Sequence, residues 1–284
     1  MFHLLSKLWP LLLVPGAAGA FVLGFYFYYY EGDYEPPPSN LPPFERFSAQ
    51  PATVRGFTEV LPSRQGVLLV DMAHLNNFNE EEINVLLSRV ADLGYTIQLL
   101  KDPRALQEKL EIVDSFLVIL PGIPYSESEA RTAEDFIQQG GKLLLVGDPG
   151  RPNSINSLAK TFGIVFQQGY LYNMVENDLN FQYIFIKDFR PDDVTNGLQQ
   201  IALYTAGIIR SSGLALALTD ENTYSSAAER IEPFAPLVKG NNPRVLAISD
   251  LTFMIPPQND LWDNGRLIAN LADYLTKSER ALFQ

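Results

Sequence analysis

Three aspartates stand at the ends of apolar runs. Asp71 closes VLLVD, Asp148 follows LLLVG in the stretch LLLVGDPG (143–150), and Asp250 follows RVLAIS. In an open α/β sheet the strand ends meet the helix starts, and sites gather along that edge. Carboxylates collected there could hold a cation or serve as acid and base. Asp263, opening the last helical stretch, is a fourth candidate for the same cluster. The plainer role is local: an Asp at such a turn caps the next helix or closes the turn. That role is the expectation here.

Composition removes most other chemistry. The chain of 284 residues has no Cys, so it has no thiolate nucleophile, disulfide or iron–sulfur site. His3 and His74 are its only histidines, too few for His-rich metal or haem ligation, and neither a metal nor a cofactor is expected. His74, after the first strand, reads as a surface or hydrogen-bonded loop residue, and His3 as a solvated one. Gly122, Gly147 and Gly150 mark turns, but neither a G-x-G-x-x-G pattern nor a P-loop lysine accompanies them. A formal net charge of −12 and a pI near 4.6 argue against nucleic acid as a partner.

The elements that must position these residues begin at Gly66. Strands are expected at Val67–Asp71, Tyr95–Leu100, Ser115–Leu120 and Lys142–Gly147. Between them lie a helix capped by Asn79 and running to about Leu93, a short helix at Pro103–Leu110, and one capped by Ser126 that runs to about Gln139. Strand and helix in alternation with short loops predict a mostly parallel, doubly wound α/β sheet. The second half is less regular. Strands are expected near 163–170, 181–187, 200–209, 213–218 and 244–249, with a closing helix from about Asp263 to Thr276. In that helix Asn264 should fix the start, and Asn270 should bond backbone on the buried side.

The first thirty residues differ in kind. Leu8 to Tyr30 carries no charge and is long enough to cross a hydrocarbon layer of about 30 Å as a helix. Lys7 precedes it; Glu31, Asp33 and Glu35 follow; Trp9 and the Tyr26–Tyr30 cluster suit the interfaces. The expected organisation is a transmembrane anchor at 1–30, a Pro-rich linker at 31–65 and an extracytoplasmic α/β domain at 66–284. The N-terminus would be cytoplasmic and the protein single-pass. A cleaved signal peptide with Ala18-Gly19-Ala20 as its cleavage site is the competing reading. Gly16, Ala20 and Gly24 recur every fourth residue, a spacing that lets another membrane helix approach closely.

Two stretches carry a family resemblance. The block DSFLVILPG (114–122), a helix, and GGKLLLVGDPG (140–150) resemble the core of the class I glutamine amidotransferase-like fold, with flavodoxin-like strand order implied. In that superfamily the second strand ends in a G-x-C-x-G elbow, and a His and a Glu arrive late in the chain. Here Asp148 stands at the cysteine position and no histidine follows, so the nucleophile and the base are both missing. The first block, with Glu129, Phe136 and Gly140-Gly141, and RVLAISDLTFM…NDLWDNGRLIANLADYL are similar to GldG-like proteins. These are gliding-motility and ABC-transporter-associated, membrane-anchored domains. The motif positions are Gly122, Gly147, Gly150, Asp250, Asn259, Asp263, Asn264 and Asn270. Relatives often carry a second C-terminal span, which is not found before Gln284.

The resemblance implies a non-catalytic accessory or scaffold subunit of a membrane complex, first an ABC-transporter-type assembly. The expected partners are other transmembrane subunits, met through the anchor, and membrane lipid. An accessory subunit of a respiratory or photosynthetic complex is the alternative. A carboxylate-dependent hydrolase using Asp148 and Asp250, or a glycan-binding domain, is a third reading.

Overall fold

The computed structural model describes residues 2–27, 64–178, 180–227, 229, 233–277 and 280, and of 2–13 the backbone alone. Met1–Pro51 and Ala52–Gln284 form separate compact units. In the first, one helix, α1 (Phe2–Tyr26), is described. Its described side chains are exposed, Phe21 at 75% and Val14 at 72%. Gly16 and Gly24 have nothing within 4 Å of a would-be Cβ. Among the described residues no helix is long and apolar enough to cross a membrane, and the anchor is an inference from the sequence alone. Of the linker, 31–65, only Arg64 and Gln65 belong to the described residues.

The second unit opens with the expected alternation. It comprises β1 (Gly66–Asp71), α2 (Glu80–Asp92), β2 (Tyr95–Leu100), α3 (Leu106–Glu111), β3 (Ser115–Ile119), α4 (Glu127–Gln138) and β4 (Lys142–Val146). Both long helices start where the sequence marks them. Asn79 and Glu82 form a capping box at α2, and Ser126 and Glu129 form one at α4, each satisfying two otherwise orphaned amides. Gly94 and Gly140 end these helices with φ of 96°, a left-handed turn that glycine adopts at no steric cost.

Shorter pieces follow. They are α5 (Asn156–Ala159), β5 (Ile164–Phe166), β6 (Leu171–Asn173), β7 (Tyr183–Ile186), β8 (Asp188–Phe189), β9 (Ile201–Tyr204) and β10 (Ile209–Ser211). Then come β11 (Ala215–Leu218), β12 (Thr223–Ser225), β13 (Leu237–Lys239), β14 (Val245–Ile248) and α6 (Asn264–Thr276). The expected strand at 200–209 is two strands, because Thr205 turns into the left-handed region at φ 48°. The strand expected at 163–170 stops at Phe166 for a turn through Gly169. β6, β8, β12 and β13 were not anticipated, being two or three residues long, too short for periodicity to register.

Eight strands make one sheet in the order β2-β1-β3-β4-β14-β13-β11-β8. The first five are parallel, in the 2-1-3-4-5 order of flavodoxin-like sheets. The last three are antiparallel, so the sheet is mixed and mostly parallel rather than parallel throughout. β5–β10, β6–β12 and β7–β9 pair as separate ribbons.

Both faces of the parallel part are buried, and side chains alternate between two cores. Leu117, Leu144 and Leu246 point to one face with α2 and α6. Phe116, Leu143 and Val245 point to the other with α3 and α4. Each fully buried Leu or Phe contributes about 1.5–3 kcal/mol relative to exposure, which makes the central strands the rigid frame on which the loops are hung.

Candidate functional site

The site sits at the carboxyl edge of that frame. Asp71, Asp148 and Asp250 follow β1, β4 and β14 and repeat one local device. Each carboxylate accepts the amide two residues on: Ala73 at 3.0 Å, Gly150 at 2.7 Å and Thr252 at 2.7 Å. This is the Asx turn, in which the short side chain imitates a backbone carbonyl. Beyond that shared turn the three diverge.

Asp71 is fully buried and saturated. Besides Ala73, its oxygens accept from His74 Nδ1 at 3.0 Å, Asn76 Nδ2 at 3.1 Å and the Tyr125 hydroxyl at 2.7 Å. The Tyr125 ring stacks on the His74 ring, centroids 3.8 Å apart. On its other side His74 places Nε2 3.4 Å from Glu129 Oε1, a charge contact without hydrogen-bond geometry. His74 is 2% exposed, so of the two expected readings it is the hydrogen-bonded loop residue and not the surface one. Burial pulls its proton affinity down, but the hydrogen bond and charge of Asp71, with the charge of Glu129, outweigh it, so His74 is raised above its ordinary value. Burial pushes Glu129 up, while the Ser126 hydroxyl and amide, with His74, bring it below its usual range. Burial and the neighbouring Asp71 hold the Tyr125 phenol well above its own.

Asp250 is also fully buried, but among the described residues no ion pair joins it to a cation, and Arg151 acts on it only as a more distant charge. It accepts the Thr252 amide and the Tyr204 amide, the latter at 2.8 Å. Burial pushes it up to about 8; backbone amides pull it down, and the charge of Asp148 pushes it further up. Asp148 is raised for the same first reason, burial, against the pull of the Gly150 amide and Arg151. Arg151 is held by Glu82 at 2.5 and 2.9 Å. A cleft of about 500 Å³ opens beside Asp148, lined by Arg151, Asn153, Phe166, Gln167 and Ser249.

The anticipated cluster is therefore three separate arrangements. Asp148 and Asp250 feel one another; Asp71 belongs to His74, Asn76, Tyr125 and Glu129. Asp263 instead accepts the amides of Gln199 and Gln200 at 2.8 and 3.0 Å. Asn264 is buried against Ala202, and Asn270 donates to the carbonyls of Val194 and Asn196. Among the described residues no group of three or more His, Asp or Glu could hold a metal ion. Sequence reasoning missed the Asp71 group. Its signal was the D-x-x-H-x-N spacing after β1, together with a Tyr just before the α4 cap.

The turn glycines are there for close approach. At Gly122 a Cβ would lie 2.6 Å from the Leu75 carbonyl oxygen, and at Gly147 it would lie 2.5 Å from the Phe166 ring. Asp148, at the elbow position, is not among the residues with left-handed backbone, whereas a nucleophile elbow is a sharp, strained turn.

No protein-family model and no curated protein matches the chain. Solved structures do. The mmIFT52 N-terminal domain is 16% identical with a TM-score of 0.61, over 75% of this chain and 98% of that one. A ThuA-like protein from Bacteroides uniformis is 12% identical with a TM-score of 0.51, over 79% and 96%. The likeness is one of fold. A Trypanosoma brucei CTPS glutaminase domain also matches, at a TM-score of 0.37 and 10% identity over 75% and 94%, too low to add weight. The finer resemblance to GldG-like proteins is not shown by these matches.

Proposed function

We propose that this protein is a non-catalytic, membrane-anchored accessory or scaffold subunit of a larger membrane complex. The observation that carries the reading is the state of the crevice between β1 and β3. There the chain order reverses, and sheets of this kind offer ligand a place. Here the loop after β1 fills it. The amides of Gly122 and Ile123 both donate to the His74 carbonyl at 2.9 Å. Asn76 Nδ2 donates to the Ile119 carbonyl at 2.7 Å, and the Asn77 amide to the Leu120 carbonyl at 2.9 Å. These backbone amides, placed where a developing oxyanion could be stabilised, are spent inside the fold, and the Asn76 and Tyr125 side chains and His74 Nδ1 are spent on Asp71.

The membrane anchor rests on the uncharged run Leu8–Tyr30 and its flanks. An ABC-transporter-type assembly is the first choice on the sequence resemblance, and a respiratory or photosynthetic complex the second. Purification in mild detergent with identification of co-eluting subunits tests this. Permease and ATPase subunits select the transporter; pigment- or haem-bearing subunits select the alternative; a monodisperse monomer refutes both. Protease treatment of intact cells should release a domain-sized fragment if the domain faces outward.

One observation favours a second reading, a carboxylate-dependent hydrolase: Asp148 and Asp250 are both raised, and Asp148 lines the open cleft. Loss of a measured hydrolytic activity in Asp148→Asn would establish it.

A further inference from the structure

Trp262 is 64% exposed and has a left-handed backbone, φ 50°. Both properties are unfavourable for tryptophan, since a large apolar side chain stays in water and its Cβ is crowded by the backbone. Its two neighbours hold it there. Asp263 accepts the amides of Gln199 and Gln200, and its own amide donates to the Gln200 carbonyl at 2.9 Å. Asn264, with no exposed surface, accepts the Ala202 amide at 3.0 Å and donates to the carbonyls of Ala202 and Gln258 at 2.8 Å each. Trp262 itself bridges Ile201. The Trp-Asp-Asn stretch of the family-like motif is thus fastened to the start of β9, with the indole left outside.

The same construction recurs after β1. Leu75 is 73% exposed at φ 49°, between His74, whose carbonyl holds the turn after β3, and Asn76, which donates to the last residue of β3. Phe181, before β7, is a third exposed apolar residue with left-handed backbone, at φ 57°. Strain of this kind persists only where surrounding contacts over-determine it, and it concentrates at functional positions. Leu75 follows β1, and Trp262 lies between β14 and α6, so both stand at the carboxyl edge.

We propose that this edge is a docking face for another protein subunit, with Trp262 as the principal anchor and Leu75 as the second. Tryptophan is among the side chains that dominate binding energy at interfaces. The face is edged by acids: Glu80 and Glu81 are exposed just past the Leu75 loop, and Asp260 is exposed beside Trp262. On a chain of net charge −12 this calls for a partner whose apolar pockets are rimmed by Lys and Arg. The same acids oppose an anionic bilayer. This inference rests on the accessory-subunit reading.

The test uses the full chain with Trp9→Phe, in which Trp262 is the only tryptophan, purified with its co-eluting subunits and, separately, expressed alone. Acrylamide quenching of Trp262 should be at least threefold weaker in the complex than in the chain alone. Phosphatidylcholine vesicles, with or without phosphatidylglycerol, should not protect it. Trp262→Gly and Leu75→Gly should each lower the recovered partner at least tenfold while leaving the melting temperature close to the parent's, because glycine accepts the left-handed backbone and the strain it relieves is offset by its greater chain entropy. An intact complex in which Trp262 is fully quenchable, or from which Trp262→Gly loses nothing, overturns the docking face and leaves the accessory role standing. Protection by vesicles alone would reassign the face to lipid. A monomer in mild detergent would remove both ideas.

Discussion

The β1/β3 and β4/β14 junctions place a buried aspartate at the same point of the same architecture and close the same Asx turn, yet the two carboxylates differ in what surrounds them. Asp71 is surrounded by donors from three side chains, one of them a histidine that favours the proton. Asp250 meets backbone amides and the charge of a second carboxylate, and burial carries it to about 8, so it is mostly protonated at neutral pH. Strand order decides where such an acid stands. The groups arriving from distant loops decide which donors and charges it meets there, and with that what it could do.

The comparison breaks most visibly at Asp71. Asp71→Ala leaves His74, Asn76 and Tyr125 without their shared acceptor, and the expected cost is about 3–5 kcal/mol in urea unfolding. A loss under about 1 kcal/mol would mean the group is not a connected network.

Next in size is a pH effect at Asp250. Its folded value lies above its unfolded one near 4, so the native state binds the extra proton between them. The contribution of Asp250 to stability is full below about pH 4 and falls as pH rises toward 8, by at most about 1.4 kcal/mol per unit. Asp250→Asn should flatten that slope, measured as unfolding free energy at several pH values.

His74→Gln is expected to cost about 2 kcal/mol at pH 6. Because His74 is raised above 6.5, its contribution is present below that pH and lost as pH rises through the folded value. The difference from the parent should therefore shrink in alkaline buffer. The smallest effect is at the edge itself. Trp262→Gly exchanges left-handed strain for chain entropy and should shift stability by no more than about 1 kcal/mol in either direction, read by thermal melting.

The sequence by itself determined the first half of the domain. The α2 and α4 capping boxes, the apolar strands from β1 to β4 and the glycine stops are written within windows of a few residues, where propensity and periodicity act directly. The Asx turns are local in the same sense, each linking a residue to the amide two positions on. What only the tertiary structure decided joins residues far apart: Asp71 with Tyr125, Tyr204 with Asp250, Asp263 with Gln199. No spacing rule spans such separations, so the burial of His74, the proton on Asp250 and the exposure of Trp262 are invisible until the sheet is assembled. The antiparallel half was unreadable for a related reason. Strands of two to four residues are held by pairing with their neighbours rather than by any pattern of their own.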